Sequence, residues 1–188
     1  MNIANGGPLG ANDRFLQVTA DGNGANSRLT VFNRTQWLGD YIAAGVNEID
    51  IDLNNFSNIS LSIRLAFKSA AFNGAAGYVT TTAFSVAPNS GWQHTVFFIT
   101  PGSMTAVGPA SSFSTFFAAP AEFRIINAST TADLNGNIVI GQLGIDNITA
   151  VPEPGSLLLL TTSAGALLLC RRSRRRHYLT KNALLRAR

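Results

Sequence analysis

The chain has one cysteine, Cys170, in 188 residues, so no intramolecular disulfide can form and the fold rests on packing alone. Lysine is nearly missing from the first 154 residues, where Lys68 is the single example, and acids are missing altogether after Glu153. These absences divide the charge. Residues 1–154 carry a net −4 and residues 155–188 a net +8, which together make the +4 of the chain. The basic isoelectric point therefore belongs to the tail, and a nucleic-acid partner loses its main support. Histidine is scarce as well. His94 alone falls in the body and lacks the partners for a catalytic pair or a zinc set, so no catalytic residue and no metal ligand is assigned. Met1 to Gly10 has no basic segment, apolar run or small-residue cleavage site. The expectation is that a signal peptide is absent from this chain, either because the true start lies upstream or because the gene has decayed.

What is present is an alternation. Ile59, Leu61, Ile63, Leu65 and Phe67 alternate with small or polar residues, the period-2 pattern of a half-buried strand. Upstream, Ile49, Ile51 and Leu53 alternate with Glu48, Asp50 and Asp52, and Asn54, Asn55, Ser57 and Asn58 supply turn chemistry between the two runs. The pair is expected to be neighbouring strands. Further strands are expected at Phe15–Ala20, Arg28–Phe32, Tyr78–Val86, Trp92–Thr100, Glu122–Asn127 and Gly141–Ala150, with a short helix within Ser111–Ala119. Asn135-Gly136 reads as a hairpin turn. Many short strands joined by Gly/Asn-rich loops predict an all-β body, an antiparallel β-sandwich over residues 1–150.

After Ala150 the character changes. Pro152, Glu153 and Pro154 form a non-helical hinge, because each proline fixes its own φ and disfavours helix in the residue before it. An uncharged stretch from Gly155 to Cys170 holds seven leucines, and Arg171, Arg172, Arg174, Arg175 and Arg176 close it. Sixteen helical residues would reach about 24 Å, short of the ~30 Å hydrocarbon core, but flanking arginines can snorkel to the interface. The expectation is one C-terminal transmembrane helix, with the arginines cytoplasmic and the body on the far side.

The order Pro152-Glu153-Pro154, Leu157 to Leu169, then Arg171 to Arg176 resembles the PEP-CTERM sorting signal of exosortase substrates. The resemblance covers residues 151–176, leaving 177–188 as a basic cytoplasmic tail. It implies a Gram-negative, exopolysaccharide-producing source. It also implies an exosortase and the membrane as partners, and export to the envelope or extracellular matrix through an inner-membrane intermediate. Phe32, Asn33, Gln36 to Tyr41, Leu61 to Leu65, Gly91-Trp92 and Leu143 to Ile148 resemble an ectodomain found before such tails. The Ile145-Asp146-Asn147-Ile148 run is similar to the last strand of jelly-roll carbohydrate-binding modules. That similarity implies a jelly-roll-like sandwich and, by analogy, a structural calcium near Asp146; no other cofactor is expected.

Two side-chain groups are candidates for function. Glu48, Asp50 and Asp52 share one strand face with neighbours about 7 Å apart, a separation that glycosidase carboxylate pairs also use. Alternation with Ile49, Ile51 and Leu53 places them on the wet face, where neither gains the raised pKa of a general acid. Trp37 and Tyr41, beside Gly39 and Asp40, are the candidate glycan-binding aromatics, since sugars stack on exposed rings. The reading is a non-enzymatic surface or matrix protein that binds extracellular polysaccharide, with a glycan-acting enzyme or a purely structural ectodomain as alternatives. A chain given an upstream signal peptide is expected to fractionate with the cell envelope, body outward, and to lose that behaviour when residues 151–188 are removed. Equal surface retention of the truncated chain would contradict this.

Overall fold

The computed structural model describes residues 1–24 and 27–153. The chain divides into a unit Met1–Pro152 and a unit Glu153–Arg188, of which only Glu153 falls among the described residues. The expected transmembrane helix, Pro154 and the arginine cluster lie outside them. Among the described residues no helix is long and apolar enough to cross a membrane.

The first unit is an all-β antiparallel sandwich. In chain order its strands are β1 (Asn2–Ile3), β2 (Phe15–Asp21), β3 (Thr30–Asn33), β4 (Val46–Asn55), β5 (Leu61–Lys68) and β6 (Gly77–Thr80). They continue with β7 (Phe84–Val86), β8 (Trp92–Phe98), β9 (Met104–Val107), β10 (Glu122–Asn127) and β11 (Ile140–Pro152). A short helix, α1 (Phe113–Phe117), lies within the expected segment. One sheet has the order β1-β2-β11-β4-β8. The other runs β3-β10-β5-β6-β9, with β7 also paired to β5.

Ile49, Ile51 and Leu53 from β4 and Leu61, Ile63, Leu65 and Phe67 from β5 are fully buried between the sheets. Aromatic rings from both sheets and α1 extend this core: Phe67 meets Phe117 at 4.9 Å and Phe123 at 5.3 Å between centroids. A second, smaller cluster of Ala66, Val79, Ile126 and Ala128 forms on the outward face of the six-stranded sheet, where Leu134 covers it.

Three expectations are corrected here. β4 and β5 are not neighbours: β4 pairs with β8 and β11, β5 with β10, β6 and β7. The turn chemistry between them makes a corner instead. Asn55 is fully buried, its Nδ2 donates to the carbonyls of Ile59 (2.7 Å) and Val86 (2.9 Å), and its Oδ1 accepts from the Ser57 N–H (2.9 Å). These bonds direct the chain from one sheet to the other. Ile59, on that corner, is 39% exposed and outside the core. Asn135-Gly136 is likewise no hairpin turn, because it links β10 and β11, which lie in opposite sheets, and only Gly136 has positive φ.

Ile63→Asp would bury an unpaired charge at the centre of the core and should cost several kcal/mol, comparable with the total stability of a domain this size. The expected outcome is loss of the cooperative thermal transition in residues 1–152. Melting within a few degrees of the wild type would contradict the assignment of this face.

Candidate functional site: the acidic face of the five-stranded sheet

The alternation that buries Ile49, Ile51 and Leu53 turns Glu48, Asp50, Asp52 and Asn54 to the opposite face. Register then fixes their neighbours. On β8 they stand opposite Phe98, Val96, His94 and Trp92; on β11, Asp52 stands opposite Asp146 and Asn54 opposite Gly144. Like charges directly across a ladder are destabilising, so the Asp52–Asp146 pairing needs compensation. It comes from both sides. His94 Nδ1 lies 3.0 Å from Asp52 Oδ1, and Asn147 Nδ2 donates to Asp52 Oδ2 at 2.7 Å. Asn147 reaches this position because the β4–β11 register shifts between Asp146 and Thr149, where Asn147 takes a positive φ of 49°.

Each oxygen of Asp52 thus has a partner, while Asp50 and Asp146 each keep one oxygen without. Asp50 Oδ1 and Asp146 Oδ2 are shielded from solvent with no hydrogen-bond partner in the protein. Buried acceptors of this kind are uncommon and too shielded for a ligand group to reach, so what the face offers is the part-exposed remainder of these carboxylates. The face therefore presents carboxylate acceptors beside apolar surface: Phe98 is 54% exposed and Val96 38%. That combination suits a polyhydroxylated ligand, whose hydroxyls donate while its C–H faces pack on the rings.

At the other end of the face Phe15, Phe56 and Trp92 form a cluster, with Phe15 and Trp92 5.1 Å apart and nearly perpendicular. Trp92 Nε1 donates to the Gly6 carbonyl at 2.8 Å, so the N-terminal loop holds this ring in place. Gly144 beneath it is required by close approach. A Cβ there would lie 2.9 Å from both Phe56 and Trp92.

The two candidate aromatics separate. Trp37 is partly buried, stacks on Phe123 at 5.2 Å, and lines a cavity of about 420 Å³ with Arg14, Asp146 and Asn147. It therefore adjoins the acidic face through Asp146. Tyr41 is corrected: it is 6% exposed, packs against Phe67 and Phe117, and its hydroxyl donates to the Trp37 carbonyl at 2.8 Å. Burial pushes its pKa well above the ordinary phenol value. Its ring offers no open face. His94, given no role in the sequence reading, and the exposed Phe98 belong to the site; alternation on β8 places them outward, but only register sets them against the acids. Of the residues expected to form a sorting motif, Pro152 ends β11 opposite Val46 and Glu153 follows it. Among the described residues no group of three or more His, Cys, Asp or Glu side chains is placed to hold a metal ion. Asp146 Oδ1 instead accepts from the Asn147 N–H at 2.8 Å.

No protein-family model matches this chain, and no curated protein matches it. Solved structures do. A family 11 carbohydrate-binding module from Clostridium thermocellum, in complex with a β-1,3-1,4-mixed-linked tetrasaccharide, superposes with a TM-score of 0.51 at 14% identity, over 81% of this chain and 82% of that one. The fold is shared with carbohydrate-binding modules. A solution structure of a family 11 module gives 0.51 at 13% identity over the same shares. An exo-β-agarase gives 0.55 at 11% identity over 82% of this chain but 22% of its own, so this chain spans about a fifth of the agarase.

Gly144→Ala should displace the Phe15–Phe56–Trp92 cluster and cost about 1–3 kcal/mol, as overpacking does. The measurement is denaturant unfolding with Trp fluorescence. An unchanged midpoint would contradict the close contact.

Proposed function

We propose that this protein is a non-catalytic, exported surface or matrix protein whose β-sandwich binds extracellular polysaccharide on the acidic face of the five-stranded sheet. The single observation that carries the reading is the row of part-exposed carboxylates, Asp50 and Asp52, set by register beside the exposed Val96 and Phe98. A sugar chain supplies both hydroxyl donors for the exposed carboxylate oxygens and the apolar contact. Two things support it further: the tetrasaccharide complex of a module with the same fold, and the cavity at Trp37, which extends the face beyond Asp146. Export rests on the resemblance of Pro152 to Arg176 to a PEP-CTERM signal, with exosortase as the processing partner and the membrane as the intermediate anchor.

The rival is a glycan-acting enzyme using the same acids. Hydrolysis needs one carboxyl protonated and a second positioned across the scissile bond. Both oxygens of Asp52 are held by His94 and Asn147, an arrangement that favours a fixed acceptor over a group exchanging protons.

Affinity electrophoresis of residues 1–152 through gels containing exopolysaccharide or mixed-linkage β-glucan tests the binding. Retardation should report an affinity of about 10⁻³ to 10⁻⁶ M, the ordinary range of about −4 to −8 kcal/mol. Asp146→Ala, Phe98→Ala and Trp37→Ala should each weaken it severalfold. No retardation on any glycan would favour a purely structural ectodomain, and release of reducing sugar would favour the enzyme.

A further inference from the structure

The outward face of the six-stranded sheet carries the opposite charge. Of the six Arg and Lys side chains before residue 155, four (Arg34, Arg64, Lys68 and Arg124) lie on or beside it. Arg64 is spent on structure, donating to the carbonyls of Ala128, Thr80 and Thr81 at 2.6–2.9 Å. The other three converge. Glu122, 6% exposed, holds Arg34 by its Nε through one carboxylate oxygen and Arg124 by its Nε through the other. Burial raises the Glu122 pKa, but the bonds to Arg34 and Arg124 outweigh it and hold the carboxylate below its ordinary value. Asn135 Oδ1 then accepts from both Arg124 Nη1 and Lys68 Nζ, each at 3.0 Å.

Phe32 stands between two of these cations, Arg34 and Arg124. It is opposite Arg124 in the ladder, 54% exposed, with the Arg34 and Arg124 guanidinium carbons 4.8 and 5.6 Å from its ring centroid. Two cations thus flank one exposed ring and share one carboxylate, and Lys68 joins them through Asn135. The Lys68 pKa is lowered, by burial first and then by Arg124, with Glu122 and Asp133 opposing. With Nε engaged, the Arg34 guanidinium makes no other protein hydrogen bond among the described residues, and its side chain is 62% exposed.

We propose that Phe32, Arg34, Lys68 and Arg124 form a second binding site, for a carboxylate-bearing polysaccharide of the polyuronate class. Guanidinium forks match a planar carboxylate bidentately, and Glu122, by engaging Nε, orients the two Nη groups of Arg34 for one, while Arg124, 12% exposed and bonded through Nε and Nη1, adds charge beneath it. The ring beside them can take the apolar face of the same sugar. The site lies on the opposite sheet from the acidic face, so it does not rest on the reading of that face.

The test is affinity electrophoresis of the full-length chain in neutral detergent through polygalacturonate, neutral glucan, dextran sulfate and single-stranded DNA. The arginine-rich tail contributes equally to wild type and variant, so their difference isolates the site. Arg34→Gln with Lys68→Gln should weaken polygalacturonate retardation about tenfold or more, since each charge-assisted hydrogen bond is worth a factor of that order. Arg34→Lys, which keeps the charge and loses the fork, should fall in between. Phe32→Ser should weaken it severalfold, neutral-glucan retardation should stay unchanged in all three, and added salt should reduce the difference. Unchanged thermal melting would show that the variants are folded. Equal polygalacturonate retardation of wild type and double variant would overturn the proposal. Dextran sulfate or DNA matching or exceeding polygalacturonate, with the same sensitivity to the variants, would overturn the carboxylate assignment.

Discussion

The alternation along Val46–Asn55 ties the core of this protein to its surface chemistry. Ile49, Ile51 and Leu53 are fully buried on one side of β4, so Glu48, Asp50 and Asp52 have no choice but the other. A slip of one residue would drive three carboxylates into the core and three apolar chains into water. The hydrophobic term that fixes the register therefore also sets the acids against His94, Val96 and Phe98 on β8 and against Asp146 on β11. The Asn55 corner completes the constraint, because its buried amide sends the chain across to β5 and lets the apolar faces of β4 and β5 oppose each other. Core and candidate site are two faces of one pattern.

Much of this was legible in the sequence, because a period of two is written directly in residue order. β2, β5, β8, β10 and β11 fall on segments read as strands, and the acids of β4 stand on the face opposite the core, as alternation requires. What was not legible depended on partners distant in sequence. The segment expected as one strand over Tyr78–Val86 is two, Gly77–Thr80 and Phe84–Val86, which lie at different places along β5. Gly39 and Asp40 mark a turn before Tyr41 but say nothing of where the ring points; Phe67 and Phe117, far along the chain, draw it inside. The cluster at Phe32 escaped notice for the same reason. Arg34 is a local neighbour, but Arg124, Glu122 and Lys68 arrive only through the β3-β10-β5 order.

The resulting sandwich is electrically two-sided. Glu48, Asp50, Asp52 and Asp146 line one outward face, and Arg34, Lys68 and Arg124 gather on the other. Each group is costly where it stands: like charges face each other across a ladder on one side and crowd an exposed ring on the other. In both places the protein compensates only in part, with His94 and Asn147 on the acidic face and Glu122 on the basic one. Partial compensation leaves hydrogen-bonding capacity free at the surface, which is what recognition of a hydroxylated or charged polymer uses.

The central claim is that a neutral sugar chain meets the acidic face. Backbone amide shift mapping of isotope-labelled residues 1–152, titrated with a mixed-linkage β-glucan oligosaccharide, addresses it most directly. The account predicts that the perturbed amides cluster at Asp50, Asp52, His94, Val96, Phe98, Asp146 and Asn147. Perturbations confined to the opposite sheet, around Phe32 and Arg124, or none at saturating oligosaccharide, would contradict it.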